Sequence, residues 1–387
     1  MLIIFSTKDK ISTSRYFYVA GKSIFNKILY ITNQKEFDLI KTSIKQKDIF
    51  LFIDPTNDFP LGIEKVECLK IIYLIDTHIN MHSDKSNNFQ LNHRLILSNF
   101  FDSIFLYHKK HLNNFIKFQY RFKKKKLKRN IFWSPVACEP NLHYQNLGNK
   151  RNYDISFVGQ LGPEISFRHK FLKRIYFSDN HSYIKKKYAN NISDKLMSKI
   201  YGQSKIVTNV SINNDINMRY YEAMAAGSLL LTNKIKNNGA EILFEENVDY
   251  VSYKNEKDAI KKINYYLNNS EKRKKIARTG QKKVLNYHTY KHRLINIIKL
   301  ANNLKNNSLS SNFNSIKLGE EYSKIYCILK KPEQVMRVIL NYGVNFLILK
   351  NLLLSILRLI NTQLPLTRNS IKQYFMVKKI NKFYKKI

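Results

Sequence analysis

The chain is poor in cysteine. Three residues of 387, Cys68, Cys138 and Cys327, stand far apart with no CxxC pair among them. That spacing argues against a disulfide scaffold and a cysteine-based zinc site, so no metal site is expected, and it fits a reducing cytoplasm. Acidic residues are few as well, 28 against 67 Lys and Arg, leaving a formal net charge of +39. Such an excess points to an anionic ligand or an anionic surface. It has a second source, since Gly, Pro and Ala are scarce while Lys, Asn, Ile, Tyr and Phe abound, the pattern that an AT-rich genome imposes whatever the function. The cations are mostly Lys spread along the chain rather than Arg and aromatics on one platform, so no nucleic-acid partner is expected. A secretory signal is lacking too: MLIIFSTKDK puts its apolar residues before its charges and reads as an opening buried strand. A long apolar run is also missing. Val344 to Ile360 is nearly all apolar, yet Lys350 and a stripe of Asn351, Ser355 and Arg358 make it too short and too charged for a membrane span.

What is present is a two-domain α/β pattern. The length exceeds one ordinary core. LIIF (Leu2 to Phe5), KILYIT (Lys27 to Thr32), DIFLFID (Asp48 to Asp54), KIIYLID (Lys70 to Asp76) and SIFLYH (Ser103 to His108) are strand candidates. Most are spaced roughly twenty to twenty-five residues apart, as expected of an open parallel sheet. Several end in polar groups, and ligands bind outside the carboxyl ends of such strands, so Asp76, His78 and His108 are site candidates. WSPVACEP and the polar tract from Gln145 to Arg151 read as the bridge to a second domain. The predicted division is 1–148, 149–300 and a basic helical extension over 301–387.

The second domain opens with YDISFVGQLGPEISFRHKFL, read as strand, loop with Gly159 and Gly162, then a helix bearing Arg168. Glycines admit a close ligand, and a helix N-terminus with Arg168 favours an anion. The loop is neither GxGxxG nor a Walker loop. Further on, NMRYYEAMAAGSLLLTN places a carboxylate, Glu222, in a small, apolar helix predicted over about Ile216 to Ala226, with Asn213, Asn214 and Asp215 as caps and Gly227 as its stop. Ser228 to Thr232 then reads as a strand buried on both faces. A carboxylate at the edge of such a helix suits the hydroxyls of a ribose.

This order of features resembles the CgeB-like glycosyltransferases, whose GT-B fold sets two Rossmann-like domains face to face. FVGQLGP…R, SKIVTNVSINNDINMRYYEAMAAGSLLLTN, EILFEENVDYVSY and HTYKHRL carry the resemblance in the second half. IDPTNDFPLGIEKVECLKIIYLIDTHIN with Arg94, FDSIFLYHKK and WSPVACEPNLHY carry it in the first, so that it spans roughly residues 48 to 295. It implies a nucleotide-diphosphate-sugar donor on the second domain, with Glu222 on the ribose and the helix start near Asn214, Asp215 and Asn217 facing the diphosphate. Arg168, with Arg219 and Lys205, would offset charge on the departing nucleotide without a metal or other cofactor. His78, with Asp76, is the group expected near the reacting centre. Asn214 stands where the wider family often has a second glutamate.

These readings give a glycosyltransferase acting on a glycan or lipid-linked acceptor, expected in the cytoplasm, with a peripheral place on the inner face of an anionic membrane as the option its charge offers. The rival class is an inactive GT-B module binding polyanionic glycan or membrane.

Overall fold

The computed structural model describes residues 1–6, 12–54, 60–75, 101–109, 112, 131–146, 148, 150–178, 182–211, 214–305, 315–328 and 330–363. Contacts divide the chain into a large unit, Met1–Ser310, and a small one, Ser311–Ile387.

Two parallel sheets organise the large unit. The first contains β1 (Leu2–Phe5), β2 (Ile28–Ile31), β3 (Ile49–Ile53), β4 (Leu69–Leu74), β5 (Ser103–Leu106) and β6 (Ile131–Trp133), in the order β2-β1-β3-β4-β5-β6. Helices α1 (Ser12–Lys22) and α2 (Gln34–Ile40) connect its first three strands. All five residues of IFLFI in β3 and all six of LKIIYL in β4 are buried, as central strands covered on both faces require. β6 is an edge strand that ends at Trp133, where the sequence reading begins the bridge.

After the short α3 (Pro140–His143), the second sheet forms from β7 (Tyr153–Val158), β8 (Lys186–Ala189), β9 (Ser204–Asn209), β10 (Leu229–Asn233) and β11 (Val251–Tyr253), ordered β11-β10-β9-β7-β8. Its helices are α4 (Phe167–Tyr176), α5 (Asp194–Gly202), α6 (Met218–Ala225), α7 (Ala240–Leu243), α8 (Glu256–Asn268) and α9 (Ser270–Tyr287). In each sheet the strand order reverses once, between β1 and β3 and between β7 and β9. Outside the carboxyl ends of such a pair lies the crevice where open α/β sheets hold ligands.

The division at residue 300 differs from what forms. Helix α10 (Tyr290–Lys305) follows the second sheet in sequence but packs on the first. Its Tyr290, Leu294, Ile297 and Ala301 are buried with Ile4, Tyr16, Phe17 and Tyr73. The reason is the apolar face at helical spacing, which finds its complement on α1 and β4 rather than on its own domain. Tyr107, just beyond β5, also ties the two halves. Its hydroxyl donates to the Ile216 carbonyl at 2.8 Å and to Asp215 at 3.1 Å. Ile75 and Met218 pack against the cores of both halves.

The small unit holds α11 (Ser315–Ile328), α12 (Pro332–Tyr342) and α13 (Phe346–Gln363) around Leu318, Tyr322, Tyr326, Val335, Val338 and Ile348. Pro332 opens α12 and Gly343, with φ +84°, follows its end. No described helix is long and apolar enough to cross a membrane.

Close backbone approach sets one sharp constraint. A Cβ built on Gly280 of α9 would lie 2.3 Å from the Asp249 carbonyl oxygen and 3.0 Å from Met224 Sδ of α6. Alanine elsewhere in a helix stabilises by about 1 kcal/mol relative to glycine. Here the clash with fixed backbone dominates, and Gly280→Ala is expected to cost about 1–3 kcal/mol, read as a lowered Tm in thermal melts.

Candidate active site

The site is assembled at the reversal point of the second sheet, where β7 runs out into Gly159. That residue has φ +143°, a conformation that excludes most side chains, and its N–H donates to the Ala189 carbonyl at 2.9 Å. A Cβ there would sit 2.7 Å from an Arg219 Nη and 3.2 Å from an Arg168 Nη. The missing side chain therefore makes room for two guanidinium groups. Both lie over the Phe157 ring, Arg219 at 4.1 Å and Arg168 at 5.2 Å from its centroid.

Arg219 is held rigidly. Nε donates to the Tyr201 hydroxyl at 3.0 Å, Nη1 to Asn209 Oδ1 at 2.6 Å, and Nη2 to the Val158 carbonyl. Asn209, at the end of β9, is the hub: its Oδ1 also accepts from Asn217 Nδ2 at 3.1 Å, and its Nδ2 donates to Thr232 at 3.0 Å. The sequence reading passed over Asn209. A polar pair closing an otherwise apolar strand, Thr208-Asn209, was the signal that marked it.

Arg168 comes from the first turn of α4, whose start is capped by Ser166 accepting from the His169 N–H at 3.1 Å. Gly162, φ +85°, shapes the loop before it, and its carbonyl contacts His169 Nδ1 at 3.1 Å. Arg168 Nε is buried without a hydrogen-bond partner. Burial first, and the neighbouring Arg219 charge second, pull its pKa down to about 10. Neither arginine forms an ion pair among the described residues. Two like charges side by side, partly desolvated, describe a place where an anion is strongly favoured.

The start of α6 opens towards the same place. Asn217 occupies the N-cap position without a side-chain cap bond, and its Oδ1 is buried and unpartnered. The helix begins at Met218, two residues later than predicted. Asn214, with φ +55°, is exposed to neither role expected of it: its amide bonds both ways with the Lys236 backbone, at 2.9 and 3.1 Å. Asp215 likewise turns away from a cap role, accepting from Ser211 and Tyr107 and so fixing the loop to the first half. Asn213 lies outside the described residues.

Glu222 lies one turn beyond Arg219 on α6 and is buried. No hydrogen bond reaches its carboxylate among the described residues. Burial raises its pKa to about 7, Arg219 opposing the rise and Asp194 adding to it. Its charge faces the first half, where Tyr16 and Tyr290 are both pushed up by burial and by Glu222. His143 Nδ1 accepts the Glu139 N–H at 2.9 Å, its Nε2 meets Tyr16 at 3.3 Å, and burial lowers its pKa to about 4. The packing residues beside Glu222, Ala223 and Met224, are fully buried as predicted.

Lys205 is not brought to this site. It stands at the opening end of β9, whereas the site lies at the closing end, and it pairs with Asp154 at 2.7 Å. Asp76, His78 and Arg94 lie outside the described residues. His108 is buried against Tyr107, ring centroids 4.1 Å apart. Among the described residues no group of three or more His, Cys, Asp or Glu could hold a metal ion, and the three cysteines are free and buried.

The Glu222 carboxyl titrates in the folded chain near 7 rather than at the ordinary 4.5. A raised folded value means that its share of stability is complete below about pH 4.5 and is lost as the pH rises through 7. Glu222→Gln keeps the shape without the charge. Its stability is expected to exceed that of the wild type at pH 8, by on the order of 3 kcal/mol at most, and the gap should narrow to a fraction of that at pH 5; melts of both chains at the two pH values test this.

Comparison with known proteins enters here. Residues 145–299 match the family described as glycosyl transferase-like. No curated protein matches the chain. Among solved structures it is similar to a glycosyltransferase from Rickettsia africae ESF-5, at 14% identity and TM-score 0.51, over 79% of this chain and 99% of that one. It is also similar to an alpha-glucosyltransferase in complex with UDP-glucose and DNA containing an abasic site, at 9% identity and TM-score 0.55, over 78% and 98%. These likenesses establish the fold: two parallel sheets flanked by helices, in the GT-B arrangement of two facing Rossmann-like domains.

Proposed function

We propose that the protein is a glycosyltransferase of the CgeB-like kind, taking a hexosyl or related sugar from a nucleotide-diphosphate-sugar donor. The observation that carries this reading is the pair of unneutralised guanidinium groups, Arg168 and Arg219, converging on Gly159 beside the uncapped start of α6. The donor diphosphate binds there, with backbone N–H groups of the first turn of α6 and the helix dipole on its oxygens. Glu222 accepts from the ribose hydroxyls, and Asn217 Oδ1 is a second acceptor in the same place.

In the transfer, the bond between the anomeric carbon and the phosphate oxygen breaks and its electrons go to the diphosphate. The two arginines stabilise that charge in a partly dry site, so this reading needs no metal. An acceptor hydroxyl forms the new bond and gives up its proton. His78, with Asp76, follows β4 directly in the sequence and is the proposed group near the reacting centre, the base that takes that proton. The acceptor, a glycan or lipid-linked precursor, enters against the first half, and the chemistry runs on the cytoplasmic side.

Binding of the donor to the folded chain raises Tm by mass action. A panel of nucleoside-diphosphate sugars is expected to include one that stabilises the wild type. Arg168→Ala should weaken that ligand at least tenfold while leaving the fold intact, since it removes a repelled charge. The pH gives a second readout. Ribose hydroxyls favour the ionised carboxylate, so binding expels the Glu222 proton. Affinity for a nucleotide sugar should fall by up to about tenfold per unit as the pH drops below 7, and Glu222→Gln should bind weakly at every pH without that slope. A panel in which no nucleotide stabilises the chain, while heparin-like polyanions do, would replace the enzyme by a polyanion-binding module.

A further inference from the structure

In the small unit, α13 is folded with its polar side inward. Asn351 Nδ2 donates to Ser323 Oγ of α11 at 2.8 Å, Arg358 Nη1 donates to the Cys327 carbonyl at 3.2 Å, and Ser355 is fully buried. The polar stripe visible in the sequence is therefore consumed inside the unit. Outward face Phe346, Leu349, Leu353, Ile356 and Ile360, exposed by 81, 50, 60, 38 and 43%. Their spacing of three, four, three and four residues puts them within an arc of about 80° along the helix. Leu340, Met336 and Val344 of the preceding helix and turn are exposed as well. A soluble domain ordinarily arranges a helix the other way round, so this one is built for an apolar neighbour.

Charge decides which neighbour. Over 315–363 the acids are Glu320, Glu321 and Glu333. Glu320 accepts from Asn345, and Glu321 pairs with Lys324 at 3.0 Å. Over 364–387 there is no acid at all, against Arg368, Lys372 and five further lysines from Lys378 to Lys386. A second copy would set two such cationic segments together, which like-charge repulsion opposes. A layer of anionic headgroups offers both what the stripe lacks and what the lysines attract. We propose that the outward face of α13 is a docking surface for an anionic lipid bilayer, the helix lying in the interface with Phe346, Leu349 and Leu353 below the headgroups. Lacking a spanning helix among the described residues, the unit would lie on the membrane.

The test is co-sedimentation of the full chain with vesicles of phosphatidylcholine alone or with three parts in ten of phosphatidylglycerol, at 0.1 and 0.5 M salt. Sedimentation velocity of the protein alone runs in parallel. The wild type should pellet with the anionic vesicles at least tenfold more tightly than with neutral ones, more weakly in high salt. Leu349→Glu with Leu353→Glu should reduce that binding at least tenfold at unchanged circular dichroism and Tm, because both residues are exposed, while Leu353→Phe should retain it. Vesicle binding unchanged in the double variant would overturn the proposal. So would a wild type that ignores vesicles but self-associates, with the double variant monomeric, since the neighbour would then be a second copy.

Discussion

A guanidinium group cannot shed its charge inside a protein, and Arg219 is buried. It must therefore be surrounded by acceptors, and the acceptors it has come from three separate elements: the Val158 carbonyl and the face of Phe157 at the end of β7, Asn209 at the end of β9, and the Tyr201 hydroxyl of α5. Satisfying one charge thus draws the closing ends of two neighbouring strands, a helix and the start of α6 to a single point. The strand order reverses at that point, so the residue that organises the interior also defines the mouth of the crevice. Gly159 follows from it, because any side chain there would meet the guanidinium.

The same helix is secured to the other half. Tyr107 donates to Ile216 and Asp215 just before α6 begins, and Met218 packs into both cores. A ligand in the crevice would touch a helix whose first residues are tied to the first half, while α10 packs on the first sheet. Any closing of the crevice must therefore turn about these contacts, and a ligand on Arg168 and Glu222 bears directly on their geometry.

Much of this was legible in the chain. Buried strands declare themselves as short apolar runs, and Leu2–Phe5, Ile49–Ile53, Leu69–Leu74 and Leu229–Asn233 formed where IIF, FLF, IIYL and LLLT stand. Arg168, Gly159 and Glu222 draw the eye in the sequence because a glycine in a strand-to-helix loop, a cation near a helix start and a lone acid in an apolar helix are each local anomalies. What was not legible depends on distant partners. Lys205 has the right charge, but register places it at the wrong end of β9 beside Asp154. Asn214 and Asp215 look like caps, yet the Lys236 backbone and Tyr107 take their hydrogen bonds first. The edge strand β8, KKYA, carries no strong apolar pattern, because its residues are only half covered. Asn209 needed the whole network to explain it.

Glu222 shows how the site and the fold pull against each other. Removing water from a carboxylate raises its pKa, and the charge that opposes the rise is that of Arg219, three of whose N–H groups are bonded to Tyr201, Asn209 and Val158. Among the described residues the structure thus keeps an acceptor with no donor, an uncapped helix start and a cation with an idle Nε within one crevice. Each is costly alone. A single ligand carrying hydroxyls at one end and phosphate oxygens at the other would relieve all three at once, which is the complementarity the proposed donor offers.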